Sequence, residues 1–192
     1  MNKKDLSKKN KLVVIGSARG VKRFYIVNKF IEKFPNAKVI NTGNLLNKII
    51  KNMGFKDLDS ISLLNYYKII EPVFVEIILS HLEHSDVILD THFYYLVPGM
   101  SIKEILKFKN KISLAILVLV KDDKEVILEE NDGEWFKDIK NTEEDITLND
   151  ASFEFYDLTF QSFVDVKKIY FNLKKHDVDE KIKNIGDLIK NE

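Results

Sequence analysis

The residues best suited to chemistry lie in one short segment, Gly16-Ser17-Ala18-Arg19-Gly20-Val21-Lys22-Arg23. A glycine-rich turn before a helix lets backbone N–H groups curl around phosphate oxygens. In the full pattern, G-x-x-x-x-G-K-[ST], the Lys bridges the β and γ phosphates and the hydroxyl holds Mg²⁺. Gly16 and Lys22 stand at that separation. Val21 takes the place of the second glycine, with Gly20 one residue earlier, and Arg23 takes the place of the hydroxyl. Alone, the segment is better explained as an ordinary glycine turn between a strand and a helix.

The elements that must position this turn alternate along the chain. Leu12–Ile15 is a continuous apolar run ending at Gly16, as in a buried parallel strand. Val21–Phe34 has helical spacing and stops at Pro35. Lys38–Ile40 reads as a strand and Leu45–Met53 as a helix closed by Gly54. Ser60–Leu82 is a long helical pattern with a kink or break expected at Pro72. Asp86–Leu89 is a third strand leading into Asp90-Thr91-His92, and Phe93–Gly99 an aromatic loop. A short helix is predicted over Ile102–Phe108, an interior strand over Ala115–Val120 and a helix over Lys124–Glu129. Glu129–Asp145 reads as an acidic lid-like loop and Ile146–Val166 as a helix. Lys168–Asn172 is a last strand and Asp179–Lys190 a terminal helix. This order predicts an α/β fold: a doubly wound, five-stranded parallel sheet with helices on both faces. Ligands in such folds sit beyond the carboxyl ends of the strands.

Composition narrows the classes. The chain has 192 residues, enough for one domain, with 45% apolar and 31% charged residues, which describes a globular protein. Formal net charge is zero, so no overall basic excess points to nucleic acid. The lysines at 3, 4, 8, 9 and 11 make Met1–Lys11 locally basic, which reads as a solvated, frayed N-terminus; a flexible tail over residues 1–10 precedes a single domain over 11–192. There is no cysteine, which excludes disulfides and Cys-ligated zinc. No apolar run approaches the roughly 20 residues that span a bilayer, so a cytoplasmic protein without membrane contact is expected.

The turn gains meaning from the motifs around it. Over residues 11–120 the chain resembles archaeal adenylate kinases, which are P-loop nucleoside monophosphate kinases. The matching pieces, in order, are the opening strand Lys11–Ile15, Asn41-Thr42-Gly43-Asn44-Leu45, Met53-Gly54-Phe55-Lys56-Asp57, Val87-Ile88-Leu89-Asp90-Thr91-His92 and Val97-Pro98-Gly99. Beyond Lys121 the match is one of pattern. The resemblance implies that Gly16, Gly20 and Lys22 line a phosphate-donor site and that the Asn41–Leu45 turn, with Thr42 and Gly43, helps hold an acceptor nucleotide. It implies that Asp90 is the acidic residue near Mg²⁺. His92 is expected to be a structural hydrogen-bonding residue.

The departures matter as much. Phosphoryl transfer depends on placed positive charge and Mg²⁺, and this family grips phosphates with arginine forks. Only two arginines, Arg19 and Arg23, occur in the chain, both in the turn itself. Ser62 stands where the family places an arginine for the acceptor phosphate. The lid stretch carries Glu129, Glu130, Asp132, Glu134, Asp138, Glu143, Glu144 and Asp145 against Lys137 and Lys140, and such a lid repels a polyphosphate. Arg23 at the metal position opposes Mg²⁺.

Two readings of Arg19, Lys22 and Arg23 carry equal weight: an anion site at a helix N-terminus, or cations that are solvated or paired with Asp90. The functional expectation is a catalytically impaired, adenylate-kinase-like subunit. It binds a nucleotide (ATP or ADP) or another anion, with Mg²⁺ disfavoured, and acts through a protein partner. The alternative is an active nucleoside monophosphate kinase or a slow ATPase. The aromatics of the C-terminal third, Phe153, Tyr156, Phe160 and Phe163, fall at helical spacing and are expected in the core. Phe155, Trp135-Phe136 and Tyr94-Tyr95 lie off that stripe and are candidates for an exposed interface.

Overall fold

The computed structural model describes residues 9–18, 21, 23–57, 60–93, 101–121, 143–173 and 181. Five strands form one parallel sheet: β1 (Asn10–Ser17), β2 (Lys38–Asn41), β3 (Val87–Thr91), β4 (Ile112–Lys121) and β5 (Asp165–Asn172). The order is β2-β3-β1-β4-β5, every pairing parallel. The predicted five-stranded parallel α/β sheet is therefore present.

The apolar runs explain the layers. Leu12 and Val14 face one core, whereas Val13 and Ile15 face the other, because successive strand residues alternate sides. The same split divides Ala115, Leu117 and Leu119 from Leu114, Ile116, Val118 and Val120. A strand buried on both sides has no polar face to show, so its sequence reads as an unbroken apolar run.

On the second of these faces lies α1 (Phe24–Lys33), which buries Ile26, Val27 and Phe30. The other face carries α2 (Thr42–Asn52), a helical run from Leu63 to Leu82, α5 (Ile102–Ile105) with a 3₁₀ turn (Leu106–Asn110), and α6 (Glu143–Gln161). Phe153, Tyr156 and Phe160 are fully buried in that core, as their spacing predicts. Phe155 and Phe163 are partly buried and pack against it.

Several boundaries differ from those predicted. The turn expected at Gly16 begins later, because β1 continues through Ser17 with Gly16 paired to Thr91 and Leu119. Helix α1 starts at Phe24 rather than Val21. Thr42 and Gly43 are not turn residues but the first residues of α2, capped by the Asn41 side chain, which accepts the Asn44 N–H at 2.9 Å. Gly54 adopts φ +82 after α2, the left-handed conformation that a helix-ending glycine supplies. Residues 143–145, taken as the end of the lid, begin α6 instead. At its other end α6 stops at Gln161, and Asp165 and Val166 belong to β5. Asn10 belongs to β1, where its side-chain amide donates to Leu82 O at 2.7 Å.

The long helical pattern is resolved into α3 (Leu63–Asn65), a π turn (Tyr66–Ile70) and α4 (Glu71–Leu82). Glu71 N–H bonds back to Tyr66 O, five residues away. Pro72 explains the π turn. Its ring would collide with the carbonyl four residues back in a regular α-helix, and one wider turn relieves the clash without breaking the helix. Ser62 is the N-cap of this run, its Oγ accepting the Asn65 N–H at 3.3 Å.

The predictions for residues 1–8, for Tyr94–Gly99, for Lys124–Glu129, for the lid up to 142, for Trp135-Phe136 and for the terminal helix other than Lys181 lie outside the described residues. No helix among the described residues is long and apolar enough to cross a membrane.

Candidate anion and nucleotide site

The carboxyl ends of β1, β2 and β3 meet where Ile15 and Asn41 both pair with Asp90. Three side chains converge there. Arg23 Nε donates to Asp90 Oδ1 at 2.6 Å, and Asn41 Nδ2 donates to Asp90 Oδ2 at 2.7 Å. Both carboxylate oxygens thus carry a short hydrogen bond. The ion pair is mostly shielded, with 14% of the Arg23 side chain and 21% of Asp90 exposed. A charge-assisted bond of this length, partly out of water, is among the stronger polar contacts a protein makes.

The same guanidinium reaches β1. Arg23 Nη1 donates to Ser17 Oγ at 3.1 Å, and Ser17 is fully buried. Nη1 also lies 3.3 and 3.5 Å from the two ring nitrogens of His92. Such nearly equal distances put it between them, off either lone-pair axis, so this is a packing contact rather than a strong bond. His92 Nδ1 lies 2.8 Å from Ser17 O, a pure acceptor, so Nδ1 carries the proton. His92 is thus the structural hydrogen-bonding residue that was expected, tying the end of β3 to the end of β1.

Beneath this layer the packing is closed. Thr42 Oγ1 donates to Thr91 Oγ1 at 2.8 Å, and Thr91 Oγ1 donates in turn to His92 O at 3.1 Å. Thr42 is buried, so it fastens the start of α2 to β3. Gly43 is exposed, and a Cβ there would make only an ordinary contact with Asn41 Oδ1. Gly16 has a different constraint. A Cβ on it would lie 2.3 Å from the Phe93 ring. Phe93 is fully buried, and its N–H donates to Asn149 Oδ1 of α6 at 3.0 Å. The glycine is needed here for the close approach of an aromatic ring.

The sequence-predicted residues therefore separate. Arg23 and Asp90 come together, whereas Thr42 bonds to Thr91, the residue after Asp90. Gly16 lies under Phe93. Arg19, Gly20 and Lys22 are outside the described residues. Ser17, Phe93 and Asn149 were not singled out at this site, and Asn41, placed in the acceptor-holding turn, was not read as a partner of Asp90. Asn41 had a signal, since it opens the Asn-Thr-Gly segment after a strand, but its bond to Asp90 spans 49 residues and no local pattern reports it.

The arrangement is a poor metal site. Mg²⁺ needs oxygens at about 2.0–2.1 Å in octahedral geometry, and Asp90 offers two that are already held. A guanidinium about 4 Å from a divalent ion repels it by roughly 8 kcal/mol at an effective dielectric near ~20. Among the described residues, no group of three or more His, Asp or Glu side chains is placed to hold a metal.

No protein-family model matches the chain. No curated protein matches its sequence either. Its likenesses are to solved structures. It is similar to shikimate kinase from Acinetobacter baumannii in complex with shikimate, at 11% identity over 97% of this chain and 98% of that one, with a TM-score of 0.49. An uncharacterized protein from Eubacterium ventriosum matches at 12% identity over 96% and 100% of the two chains, with a TM-score of 0.48. A sugar kinase from Janibacter sp. matches at 10% identity over 92% of each chain, with a TM-score of 0.46. At these values the likeness is broad, and the site rests on its own geometry.

Proposed function

We propose that this chain is a P-loop nucleoside monophosphate kinase-like protein, adenylate-kinase-like in its motifs, that has given up phosphoryl transfer. It holds a nucleotide or another anion without Mg²⁺ and acts as a regulatory or protein-interaction subunit. The observation that carries this reading is the bond from Arg23 Nε to Asp90 Oδ1 at 2.6 Å. A protein cation stands against the carboxylate that the resemblance assigns to the metal.

Supporting features come from both ends of the site. Ser62, at the position matched to an acceptor-binding arginine, is used as a helix cap. Arg23 is itself the residue before α1, whose first turn holds no acidic side chain. The N–H groups at a helix start and the positive end of its dipole favour an anion there. Arg19 and Lys22 of the same turn add charge of the same sign. Together these groups can neutralise and orient phosphate oxygens. They lack the metal and the arginine forks that stabilise the transferring phosphoryl group, and loss of one arginine finger alone costs on the order of 10³–10⁵ in rate.

Calorimetric titration with ATP, ADP and AMP, each with Mg²⁺ and with EDTA, tests the binding half of the proposal. The expected result is micromolar affinity for at least one nucleotide that is unchanged or weakened by Mg²⁺. Binding seen only with Mg²⁺ would contradict it.

A further inference from the structure

The opposite end of the sheet carries a second charged feature, remote from Arg23 and Asp90. A cleft of about 360 Å³ lies there, and three lysines line it together: Lys9 just before β1, Lys11 within it and Lys33 in the last turn of α1. His84, which follows α4, and Asp86, which precedes β3, also line it. Phe34 is buried and gives the cleft an apolar side. From Lys11 to Ser17 the strand runs roughly 20 Å, at about 3.3 Å per residue, so the cleft and the Arg23 site are separate.

The charges at this cleft do not cancel. Three lysines against one aspartate leave a net charge of +2, counting His84 as neutral. The one carboxylate has a structural task, since Asp86 Oδ1 accepts the Lys11 N–H at 2.8 Å and Asp86 O accepts the Lys38 N–H at 2.8 Å. Both α1 and α4 end near the cleft, and a helix carboxyl end attracts cations. That accounts for Lys33, but Lys9 and Lys11 arrive from the strand. The closing carbonyls are also bonded within the chain. Leu82 O accepts the Asn10 amide at 2.7 Å, His81 O accepts the Ser85 N–H at 3.0 Å, and Phe34 O accepts the Ala37 N–H at 2.9 Å.

We propose that this cleft is a second anion site, for a doubly charged phosphate group. The charge of its lining matches a dianion, and a phosphate monoester carries about −1.5 to −2 at neutral pH. A lysine ammonium brings three donors on a flexible stem, so lysines from different elements can converge on the oxygens of one phosphate. A cleft lined by one sign of charge against an apolar wall concentrates that field. Its volume admits free phosphate or a small phosphorylated molecule. The site does not depend on whether a nucleotide is held at Arg23.

The test is a titration of the isotope-labelled full chain at low ionic strength, followed by amide NMR shifts. One arm uses inorganic phosphate, the other glycerol 3-phosphate, and sodium chloride at matched ionic strength is the control. The expected result is saturable movement of the Asn36, Ala37 and Ser85 amides, which border the cleft, in both arms. Tighter binding of the ester assigns the site to a phosphorylated metabolite, and tighter binding of inorganic phosphate assigns it to the free ion. Lys11→Gln and Lys33→Gln should each weaken binding about 2–5-fold. Asp86→Asn, which keeps the Oδ1 acceptor, should tighten it by about the same factor. Three results would overturn the proposal: equal movement of these amides with chloride, an affinity unchanged in the Lys11→Gln/Lys33→Gln double variant, or shifts confined to Ser17 and Arg23.

Discussion

Arg23 and Asp90, 67 residues apart in the chain, form an ion pair at 2.6 Å across the carboxyl ends of the central strands. The pair joins the start of α1 to the end of β3, and Asn41 closes it from β2. One side-chain contact therefore ties the start of α1 to Asp90 and occupies its Oδ1.

Breaking this pair should cost stability as well as alter binding. Arg23→Ala leaves Asp90 shielded with its strongest partner gone, and the expected loss is about 1–3 kcal/mol, read from urea midpoints. Asp90→Ala should cost a similar amount. The double variant should lose less than the sum, because the two residues share one interaction. Additive losses would mean that the contact contributes nothing in solution.

Gly16→Ala should destabilise through overpacking, since its Cβ would meet the Phe93 ring at 2.3 Å. The expected cost is about 1–3 kcal/mol. Phe93→Leu should recover part of it when combined with Gly16→Ala. If Gly16→Ala were neutral, the close approach of Phe93 would be wrong.

Glu71 sets a pH dependence. Burial raises its carboxyl above the ordinary glutamate value, opposed by the Ser101 hydrogen bonds and by Lys107, and assisted by Glu104. A carboxyl raised in the folded state favours its neutral form there. Its contribution to stability is full below the ordinary value and is lost as pH rises through the raised one. Glu71→Gln, which keeps the acceptor for Ser101, should therefore be more stable than the parent at neutral pH. The gap should close as the pH falls below the carboxylate range. Denaturant melts of both proteins across pH check this, and a gap independent of pH would refute it.

Much of this architecture was legible in the sequence, for physical reasons that also mark the limit. Leu12–Ile15 and Ala115–Val120 read as buried strands because a strand covered on both faces must be apolar throughout. Phe153, Tyr156 and Phe160 read as core because a helix repeats its face every three to four residues. Asp165 and Val166 were drawn into that helix because an apolar stripe does not say where it ends. Contacts between distant residues left no local trace. The ring of Phe93 over Gly16 and the Asn41 amide on Asp90 each depend on the sheet order β2-β3-β1-β4-β5 and on how helices pack against it. Of the readings open from the sequence, the pairing of Arg23 with Asp90 is present at 2.6 Å.

The proposal that this chain has a kinase-like site without kinase chemistry is tested most directly by turnover. The pure protein is incubated with ATP, Mg²⁺ and AMP, and ADP is followed over time. The account predicts no ADP above the uncatalysed background, and no gain when Mg²⁺ is raised. ADP formation at an ordinary kinase rate of about 1–100 s⁻¹ would contradict it.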